Sequence, residues 1–184
     1  MDYFIEPETQ QVDSKTYIDF TRNKLSKAAI FPGLSLKFDG KAIVREGTVI
    51  RGDQGKCNIG LHTTLEKDVV IKPPLYIQPN GRPCFNLFRI GKYSYVGDNS
   101  LIEAKYIGDC VYIGKNCSIG PRVIIRDCVY IEDNTVIPAD SSIAPFSHIA
   151  GTPATFIGEV PETFAITQRL FAEEQYNRLQ SSSE

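Results

Sequence analysis

Isoleucine recurs at every sixth position through the second half of the chain. The residue after each isoleucine is often small, and the residue four places later is small or β-branched, as Gly114 and Cys117 are after Ile113. The unbroken series is Ile107, Ile113, Ile119, Ile125, Ile131, Ile137, Ile143 and Ile149. A period of six fits neither the three-and-four spacing of an amphipathic helix nor the turns every 8–12 residues or so of a β-sandwich.

The same pattern continues upstream with two interruptions. The upstream positions, six apart within each group, are Ile43 and Val49, then Ile59, Leu65 and Ile71, then Ile90, Val96 and Ile102. One interruption is a repeat that is one residue short, between Ile102 and Ile107. The other is an insertion between Ile71 and Ile90.

Side-chain alternation along a strand explains the period. Residues two apart share a face, so Val111 and Ile113 can both point inward while Tyr112 points outward. The pair Gly114–Lys115 must then turn the chain, and we assign the glycine to the unusual backbone angles of that turn. Three such sides close one coil of 18 residues, which is the interval between the two DCVYI segments. The sequence therefore predicts an all-β fold, a three-sided solenoid of parallel rungs.

The pattern also divides the chain into segments. We expect a flexible acidic tail at 1–16, a β-helix at 17–157 with an irregular first coil and a projecting loop at 72–89, a C-terminal helix at 158–180 and a frayed tail at 181–184. The hexads stop after Gly151, where we expect a linker. Phe164, Leu170, Phe171 and Ile166 predict an apolar stripe by which the helix packs along one side of the solenoid.

Composition narrows the possible functions. The net charge of −2 gives no basic field for nucleic acid, and no apolar run approaches the length of a membrane span. The N-terminal residues lack the basic-then-apolar pattern of a signal peptide, and five cysteines without a CxxC pair fit reduced thiols in the cytosol.

The hexad pattern resembles the left-handed parallel β-helix family. That family includes acyltransferases, the gamma-class carbonic anhydrases and two non-enzymatic subunits of dynactin. VIRGDQGKCNIG at 49–60 and the segment 90–109, with its short hexad, resemble the carbonic anhydrase branch. The resemblance implies three histidine ligands, at the positions where this chain has Lys72, Asp98 and Glu103. Because none of these is an imidazole, we expect no metal, no other cofactor and no catalytic residues.

Shorter segments resemble the β-helical subunits of the dynactin pointed-end complex. They are IRGD at 50–53, IKPP at 71–74, GKNCSIG at 114–120, IEDNTVIP at 131–138 and GEVPE at 158–162. The resemblance covers roughly residues 17–180. It implies a non-catalytic cytoplasmic subunit, associated with the cytoskeleton, that supports attachment of cargo or adaptors to dynein. The implied partners are dynactin subunit 6, the pointed-end actin-related protein with its neighbour, and dynein adaptors. The alternative is a trimeric enzyme, carbonic anhydrase-like or acyltransferase-like.

Two groups of aromatic residues are candidates for partner binding. Tyr95, Tyr112 and Tyr130 should stack as an outward ladder, which is either a binding face or a surface covered by the terminal helix. In the loop at 72–89, the large apolar residues are Tyr76, Phe85, Leu87 and Phe88. On a projecting loop such residues either dock on their own solenoid or contact another subunit, and we favour contact with another subunit.

The remaining polar residues have simpler expected roles. His62 and His148 are expected on the solvated surface, and Arg51 with Asp53 should form a buried or semi-buried pair that holds the early coils. Cys110 and Cys128 should stack one coil apart, at a Cα spacing that permits a disulfide, but a cytosolic location favours two free thiols. Cys117 points into the core. The open ends of the solenoid need covers, which the irregular first coil, the linker or a related β-helical subunit can supply.

Overall fold

The computed structural model describes residues 17–20, 22–33, 35–85 and 87–181. The predicted N-terminal tail and the last three residues lie outside this part of the chain. Within it the elements in chain order are β1 Tyr17–Phe20, β2 Asn23–Ser26, β3 Leu36–Phe38, β4 Ile43–Val44, β5 Val49–Ile50, β6 Cys57–Ile59, β7 Thr64–Leu65, β8 Val70–Ile71, β9 Leu75–Ile77, β10 Pro83–Phe85, β11 Phe88–Ile90, β12 Tyr95–Val96, β13 Leu101–Ile102, β14 Tyr106–Ile107, β15 Tyr112–Ile113, β16 Ser118–Ile119, β17 Ile124–Ile125, β18 Tyr130–Ile131, β19 Val136–Ile137, β20 Ser142–Ile143, β21 Ser147–Ala150, β22 Thr155–Glu159 and α1 Phe164–Ser181.

Apart from the hairpin β9–β10, the described strands form the three faces of a solenoid. The first face has the order β1-β2-β4-β7-β12-β15-β18-β21-β22. The second has the order β5-β8-β13-β16-β19, and the third has the order β3-β6-β11-β14-β17-β20. Neighbours from consecutive coils are parallel, as the pairing of β15 with β18 shows. The predicted three-sided solenoid is confirmed.

The stacking register is the one that the hexads predict. Ile113 pairs with Ile131 and Ile131 with Ile149, so these isoleucines form one inward column. Tyr95 pairs with Tyr112, 17 residues later, which accommodates the short hexad without losing the column. Ile113 and Ile131 are fully buried, and the core continues along the described coils as one cluster of mostly aliphatic residues. Stacked aliphatic side chains therefore supply the solenoid's interior.

The glycines act differently from our expectation. The positive φ of the turn falls two residues later, for example on Asn116 at 54°, and asparagine tolerates this conformation better than most residues. Gly114 is required for another reason. A Cβ atom there would lie 2.6 Å from the backbone nitrogen of Asp133 on the next coil. Its lack of a side chain allows two coils to approach at the corner.

Both ends of the solenoid depart from the regular rung. At the start, β1 and β2 pair antiparallel before β2 joins β4 in parallel, so the first coil is irregular as expected. At the end, the segment predicted as a linker contains β22, which pairs antiparallel with β21 and extends the first face. Helix α1 begins at Phe164, later than the sequence suggested.

The insertion at 72–89 is a hairpin, not an irregular loop. β9 and β10 pair antiparallel, with Ile77 opposite Pro83. Gly81 takes a φ of 78° in the connecting turn, where a glycine after an asparagine is a standard hairpin signal. After the hairpin, β11 pairs with β6 and the solenoid resumes. Within the described residues, no helix is both long and apolar enough to cross a bilayer.

The isoleucine column yields a test of the fold. We expect Ile131→Ala to lower the free energy of unfolding by about 2–5 kcal/mol, because it leaves a cavity in a core that cannot collapse around it. Urea denaturation followed by circular dichroism measures the change. The matched control is Ile166→Ala on α1, where the side chain is 63% exposed and the cost should stay within about 0.5 kcal/mol. Equal costs for the two variants would contradict the inward column.

Candidate functional site

Lys72 and Glu103, two of the three positions where carbonic anhydrases carry a metal ligand, lie together at one corner. They follow β8 and β13, which are paired, and the backbone nitrogen of Lys72 donates to the carbonyl oxygen of Ile102 at 2.9 Å. The two residues therefore stand on consecutive coils at the corner between the second and third faces. One is a cation without a lone pair, so the donor set does not suit a metal.

Asp98, the third position, lies at another corner. It follows β12 on the first face, and one carboxylate oxygen accepts a hydrogen bond from the backbone nitrogen of Lys67 at 3.1 Å. Its other oxygen is 3.6 Å from Nζ of Lys115. The carboxylate thus connects neighbouring coils. In the part of the chain that the structure describes, no cluster of three or more histidine, cysteine or acidic residues is arranged to hold a metal ion.

A groove of about 850 Å³ opens between the hairpin and the corner of Lys72 and Glu103. The hairpin supplies one wall through Leu75, Tyr76 and Ile77. The solenoid supplies the other wall, with charged, amide and proline side chains from the ends of second-face strands: Arg51, Gln54, Lys72, Pro73, Pro74, Glu103, Pro121 and Arg122. The groove is therefore apolar on one side and charged on the other.

Both arginines of the groove are held by carboxylates. Arg51 makes two hydrogen bonds to Asp53 at 2.9 and 2.8 Å, and Arg122 makes two to Asp140 at 2.6 Å each. These bonds hold the pKa of Asp53 and of Asp140 below the ordinary aspartate value. The Arg51–Asp53 pair forms as expected, but it lies within one turn at the surface, with about a third of each side chain exposed. It orders the groove's rim rather than holding the early coils from inside.

The hairpin exposes a run of apolar residues to solvent. Leu75, Tyr76 and Ile77 are 43%, 45% and 55% exposed, and Leu87 beyond the hairpin is 46% exposed. Phe88 was predicted as a partner-binding residue, and this is wrong. It is fully buried because β11 has already returned to the solenoid and directs it into the core. Phe85 lies in β10, and the structure does not describe its side chain.

The tyrosine ladder forms on the first face. The rings of Tyr95 and Tyr112 stack with centroids 5.0 Å apart and planes within 5° of parallel, and those of Tyr112 and Tyr130 stack at 5.0 Å and 8°. Parallel pairing of β12, β15 and β18 aligns the three residues. Burial raises the pKa of Tyr95 and of Tyr112 above the ordinary tyrosine value.

Helix α1 covers this ladder, which decides between the two alternatives that the sequence left open. Phe171 meets the ring of Tyr95 edge-on at 5.5 Å, and Phe164 meets Tyr130 edge-on at 6.2 Å. The three tyrosines are half-buried beneath the helix. The proposal that they form an open binding face is therefore wrong for this structure, because their own chain packs on them.

The inward face of α1 contains Phe164 and Phe171 of the predicted stripe but not its other two residues. Ile166 and Leu170 are 63% and 60% exposed and point away from the solenoid. The buried positions recur at helical spacing and include two glutamines: Phe164, Gln168, Phe171, Ala172, Gln175, Tyr176 and Leu179. Tyr176 and Leu179 pack on Ile43, and the Tyr176 hydroxyl donates to the carbonyl oxygen of Arg22 at 2.7 Å. The helix thus reaches from the last coils to the first.

His62 is buried, which contradicts its expected position on the surface. Its side chain stacks on Tyr93 with centroids 5.6 Å apart and meets Tyr176 of α1 edge-on at 5.5 Å. Its Nδ1 atom has no hydrogen-bond partner among the described residues. Burial lowers the pKa of His62 below the ordinary histidine value, and the nearby positive charge of Lys41 lowers it further. The residue is therefore neutral at physiological pH.

His148 is also buried, although we expected it to be solvated. It lies on β21, where Nε2 is 2.7 Å from Oε1 of Glu132, and its ring meets Tyr130 edge-on at 5.1 Å. The side chain is only 2% exposed. Neither histidine is among the residues that line the groove. Both belong to the packing around the first face, so neither is placed as a base for an open site.

One corner column explains several of these positions. Between the third and first faces, consecutive coils place non-glycine residues with positive φ at His62, Tyr93, Cys110, Cys128 and Phe146. This corner lies beside α1, and the guanidinium of Arg169 lies 5.4 Å from the ring centroid of Tyr93. Cys110 and Cys128 are free thiols, as expected, and Cys117 is buried in the core. These corner positions can be found in the sequence, because each lies three residues after a third-face aliphatic residue. The sequence does not show that α1 lies beside them.

Comparison with known proteins identifies related sequences. A family model described as Dynactin subunit 5 matches residues 9–180 of the chain. Dynactin subunit 5 of Dictyostelium discoideum is 32% identical over 174 residues, which cover 94% of this chain and 87% of that protein.

Solved structures share the solenoid. A hexapeptide transferase family protein from Anaplasma phagocytophilum has a TM-score of 0.66 at 18% identity, and the match covers 86% of this chain and 89% of that one. A putative acetyltransferase from Bacillus cereus has a TM-score of 0.56 at 18% identity, covering 86% and 98%. At such identities the similarity shows the fold alone, and it confirms the predicted hexapeptide-repeat β-helix.

Adjacent residues on α1 give a matched test of the helix packing. We expect Phe171→Ala to reduce the free energy of unfolding by about 3 kcal/mol, because it removes a buried ring of α1 that packs on the ladder. Leu170→Ala, one residue earlier and exposed, should change it by no more than about 0.5 kcal/mol. Urea denaturation followed by tyrosine fluorescence measures both. If Leu170→Ala proves the more costly, the inward face of α1 has been assigned incorrectly.

The lowered pKa of His62 predicts how stability depends on pH. The unfolded chain binds a proton near the ordinary histidine pKa of about 6.5, whereas the folded chain binds it only at lower pH. Stability contributed by neutral His62 is therefore complete above that value and is lost as the pH falls below it. Between about pH 7 and about pH 5.5, the His62→Asn variant should lose less stability than the unsubstituted protein, as urea denaturation at the two pH values measures. Asparagine is chosen because it tolerates the positive φ. Identical losses in both proteins would show that His62 does not contribute.

Proposed function

Because the chain belongs to the dynactin subunit 5 family, we propose that it is a non-catalytic structural subunit of the dynactin pointed-end complex. In that role it supports the attachment of cargo or adaptors to dynein during microtubule-based transport. The family match covers nearly the whole solenoid together with α1. The protein would act as a rigid three-sided solenoid that presents binding surfaces, and not as a catalyst.

The placement of the chain's two histidines carries the non-catalytic part of the proposal. Acyltransfer and zinc hydration on this fold both use imidazole, either as a base or as a metal ligand. Here His62 is enclosed by Tyr93 and Tyr176, and His148 is held by Glu132 and Tyr130. The groove instead contains Lys72 and Glu103 at two of the three relevant positions.

The exposed hairpin is the surface that best fits contact with another subunit. Leu75, Tyr76 and Ile77 are consecutive, so both sides of β9 present apolar groups to solvent. Contiguous exposed apolar surface in a folded chain is typical of interaction sites. The neighbouring groove adds charged side chains that could set the orientation of a partner. We assign this surface to contact with a neighbouring pointed-end subunit.

The C-terminal end of the solenoid is a second candidate contact. Phe156 and Ile157 on β22 are 61% and 55% exposed, and Phe146 at the adjacent corner is 36% exposed. β22 is also the terminal strand of the first face in the described chain, so one edge of it is open to another chain. The strands of a second β-helix are spaced as the coils of this chain are, so its end can continue the stack. We assign this end to dynactin subunit 6.

The other proposed partners follow from family membership. They are the pointed-end actin-related protein, the subunit beside it, and dynein adaptors, and the proposed location is the cytoplasm in association with the cytoskeleton. Affinity purification of the full chain from its own cells tests this set, with zinc analysis and solution mass measured on the same protein. Co-purification of pointed-end subunits with a metal-free chain supports the proposal. A zinc-containing homotrimer without those subunits would overturn it and favour the enzyme alternative.

A hairpin variant tests the assigned contact. We expect Leu75→Ser, Tyr76→Ser and Ile77→Ser, made together, to reduce recovery of the neighbouring pointed-end subunits by roughly tenfold or more, since central apolar contacts dominate interface energies. The side chains are exposed in the isolated chain, so its melting temperature should change little. The matched control is Ile166→Ser with Leu170→Ser on α1, which should leave recovery unchanged. Full recovery with the hairpin variant would remove the hairpin from the interface.

A further inference from the structure

Cys110 and Cys128 occupy equivalent positions on consecutive coils. Each lies two residues before a ladder tyrosine, and those tyrosines are paired in register. Their φ angles are 55° and 58°, and the backbone nitrogen of Cys128 donates to the carbonyl oxygen of Asp109 at 2.9 Å. Because the two turns share one conformation, the two cysteine side chains point in the same direction. The spacing between coils places their Cα atoms about 4.8 Å apart. That spacing falls inside the Cα range of roughly 4.4–6.8 Å seen for disulfides.

The two thiols interact with each other. Cys110 donates a hydrogen bond toward Cys128, which raises the pKa of Cys110 and lowers that of Cys128. The carboxylates of Asp109 and Asp127 at the same corner oppose ionisation of both thiols, while Arg169 on α1 is the nearby positive charge. The single proton of Cys110 can also reach the carbonyl oxygen of Ala165, 3.7 Å away. The shared hydrogen bond therefore makes Cys128 the thiol of the pair that loses its proton more readily.

The other core cysteines lack this arrangement. Burial raises the pKa of Cys57 to about 12 and that of Cys117 to about 11, against an ordinary value of 9.0. A rise of two pKa units reduces the thiolate fraction about a hundredfold, and the thiolate is the reactive form. Cys110 is half-buried, so a small oxidant can approach the pair from its side. The two thiols pack with Val160 and Phe164 at the start of α1.

We propose that Cys110 and Cys128 are a peroxide-sensitive modification site, which cycles between a dithiol and an inter-coil disulfide beneath the first turn of α1. One thiolate attacks the O–O bond of a hydroperoxide and, with uptake of a proton, yields a sulfenic acid and an alcohol, or water from hydrogen peroxide. The second thiol then attacks the sulfenic sulfur, forming the S–S bond and releasing water. The peroxide gains the two electrons that the thiols lose.

The coil geometry makes this disulfide reversible. When two side chains point in the same direction from neighbouring coils, their Cβ atoms lie about as far apart as the coils, at about 4.8 Å. In an unstrained disulfide the two Cβ atoms lie about 3.8 Å apart. Closing the bond must draw two turns together, and such strain makes a disulfide easier to reduce. Oxidation also removes the S–H group that contacts Ala165, so the first turn of α1 loses a contact. The oxidation state of Cys110 and Cys128 would thereby change how tightly α1 packs on the first face.

The experiment uses the full chain under native conditions. The protein is treated with equimolar hydrogen peroxide, remaining thiols are alkylated with N-ethylmaleimide, and peptides are identified by mass spectrometry. We expect a peptide pair linked through Cys110 and Cys128 as the main product, and its disappearance after incubation with reduced glutathione. Cys57 and Cys117 should remain alkylatable under denaturing conditions. Amide exchange in the first turn of α1 should rise on oxidation.

Two variants distinguish the pair from general oxidation. Cys110→Ser should abolish the linked peptide and leave a Cys128 product that dimedone or glutathione traps, because a serine hydroxyl can still donate to Cys128. Cys84→Ser should leave the linked peptide at its full yield. The proposal is overturned if Cys110 and Cys128 stay alkylatable while Cys84 is consumed, or if the links formed join separate chains. Because the unmodified chain supplies the main measurement, a variant that folds poorly does not affect this outcome.

Discussion

Each coil of this protein makes its backbone hydrogen bonds to the coils directly before and after it, and the rest of the structure depends on that constraint. A strand of two residues is too short to be stable alone, so it persists only when the next coil presents a matching pair. The inward isoleucines keep that match because each lies on the isoleucine one coil away. An insertion must therefore leave and re-enter at matching positions. The hairpin β9–β10 does so, since β11 resumes pairing with β6.

Nearest-neighbour stacking leaves distant coils without direct contact, and α1 supplies such contact. Phe164 packs near the last coils on Tyr130, Phe171 packs on Tyr95, and Leu179 packs near the first coil on Ile43. One helix thus makes the stability of the first and last coils interdependent, although a solenoid of this kind can otherwise open from its ends. The same packing encloses His62 and covers one side of the Cys110–Cys128 pair, where Cys110 stays half-buried. The corner and face with the most reactive side chains are consequently the ones that α1 shields.

The solenoid and its register could be predicted from sequence because they depend on a local periodicity that repeats many times. The Tyr95–Tyr112–Tyr130 stack followed directly from that register, even across the short repeat. The burial of His62 could not be predicted, because it depends on a helix whose inward face carries Gln168 and Gln175 while Leu170 points outward. Hydrophobicity alone chose Phe164 and Phe171 correctly but also chose Ile166 and Leu170, which are exposed. Phe88 was misassigned for a related reason, since the point at which the chain rejoins the core depends on pairing with a strand some 30 residues earlier.

The distribution of exposed apolar residues argues for a scaffold whose contacts are divided among separate surfaces. On the first face α1 covers the tyrosine ladder, whereas the hairpin beside the second-to-third corner and the strand β22 at the end of the first face remain exposed. An enzyme on this fold would concentrate its reactive side chains where substrate can reach them. In this chain the groove instead contains arginines already held by Asp53 and Asp140, beside Lys72 and Glu103. A rigid prism with reactive groups shielded and two apolar surfaces apart from each other suits a subunit that joins neighbours on different sides, which is the role proposed for it.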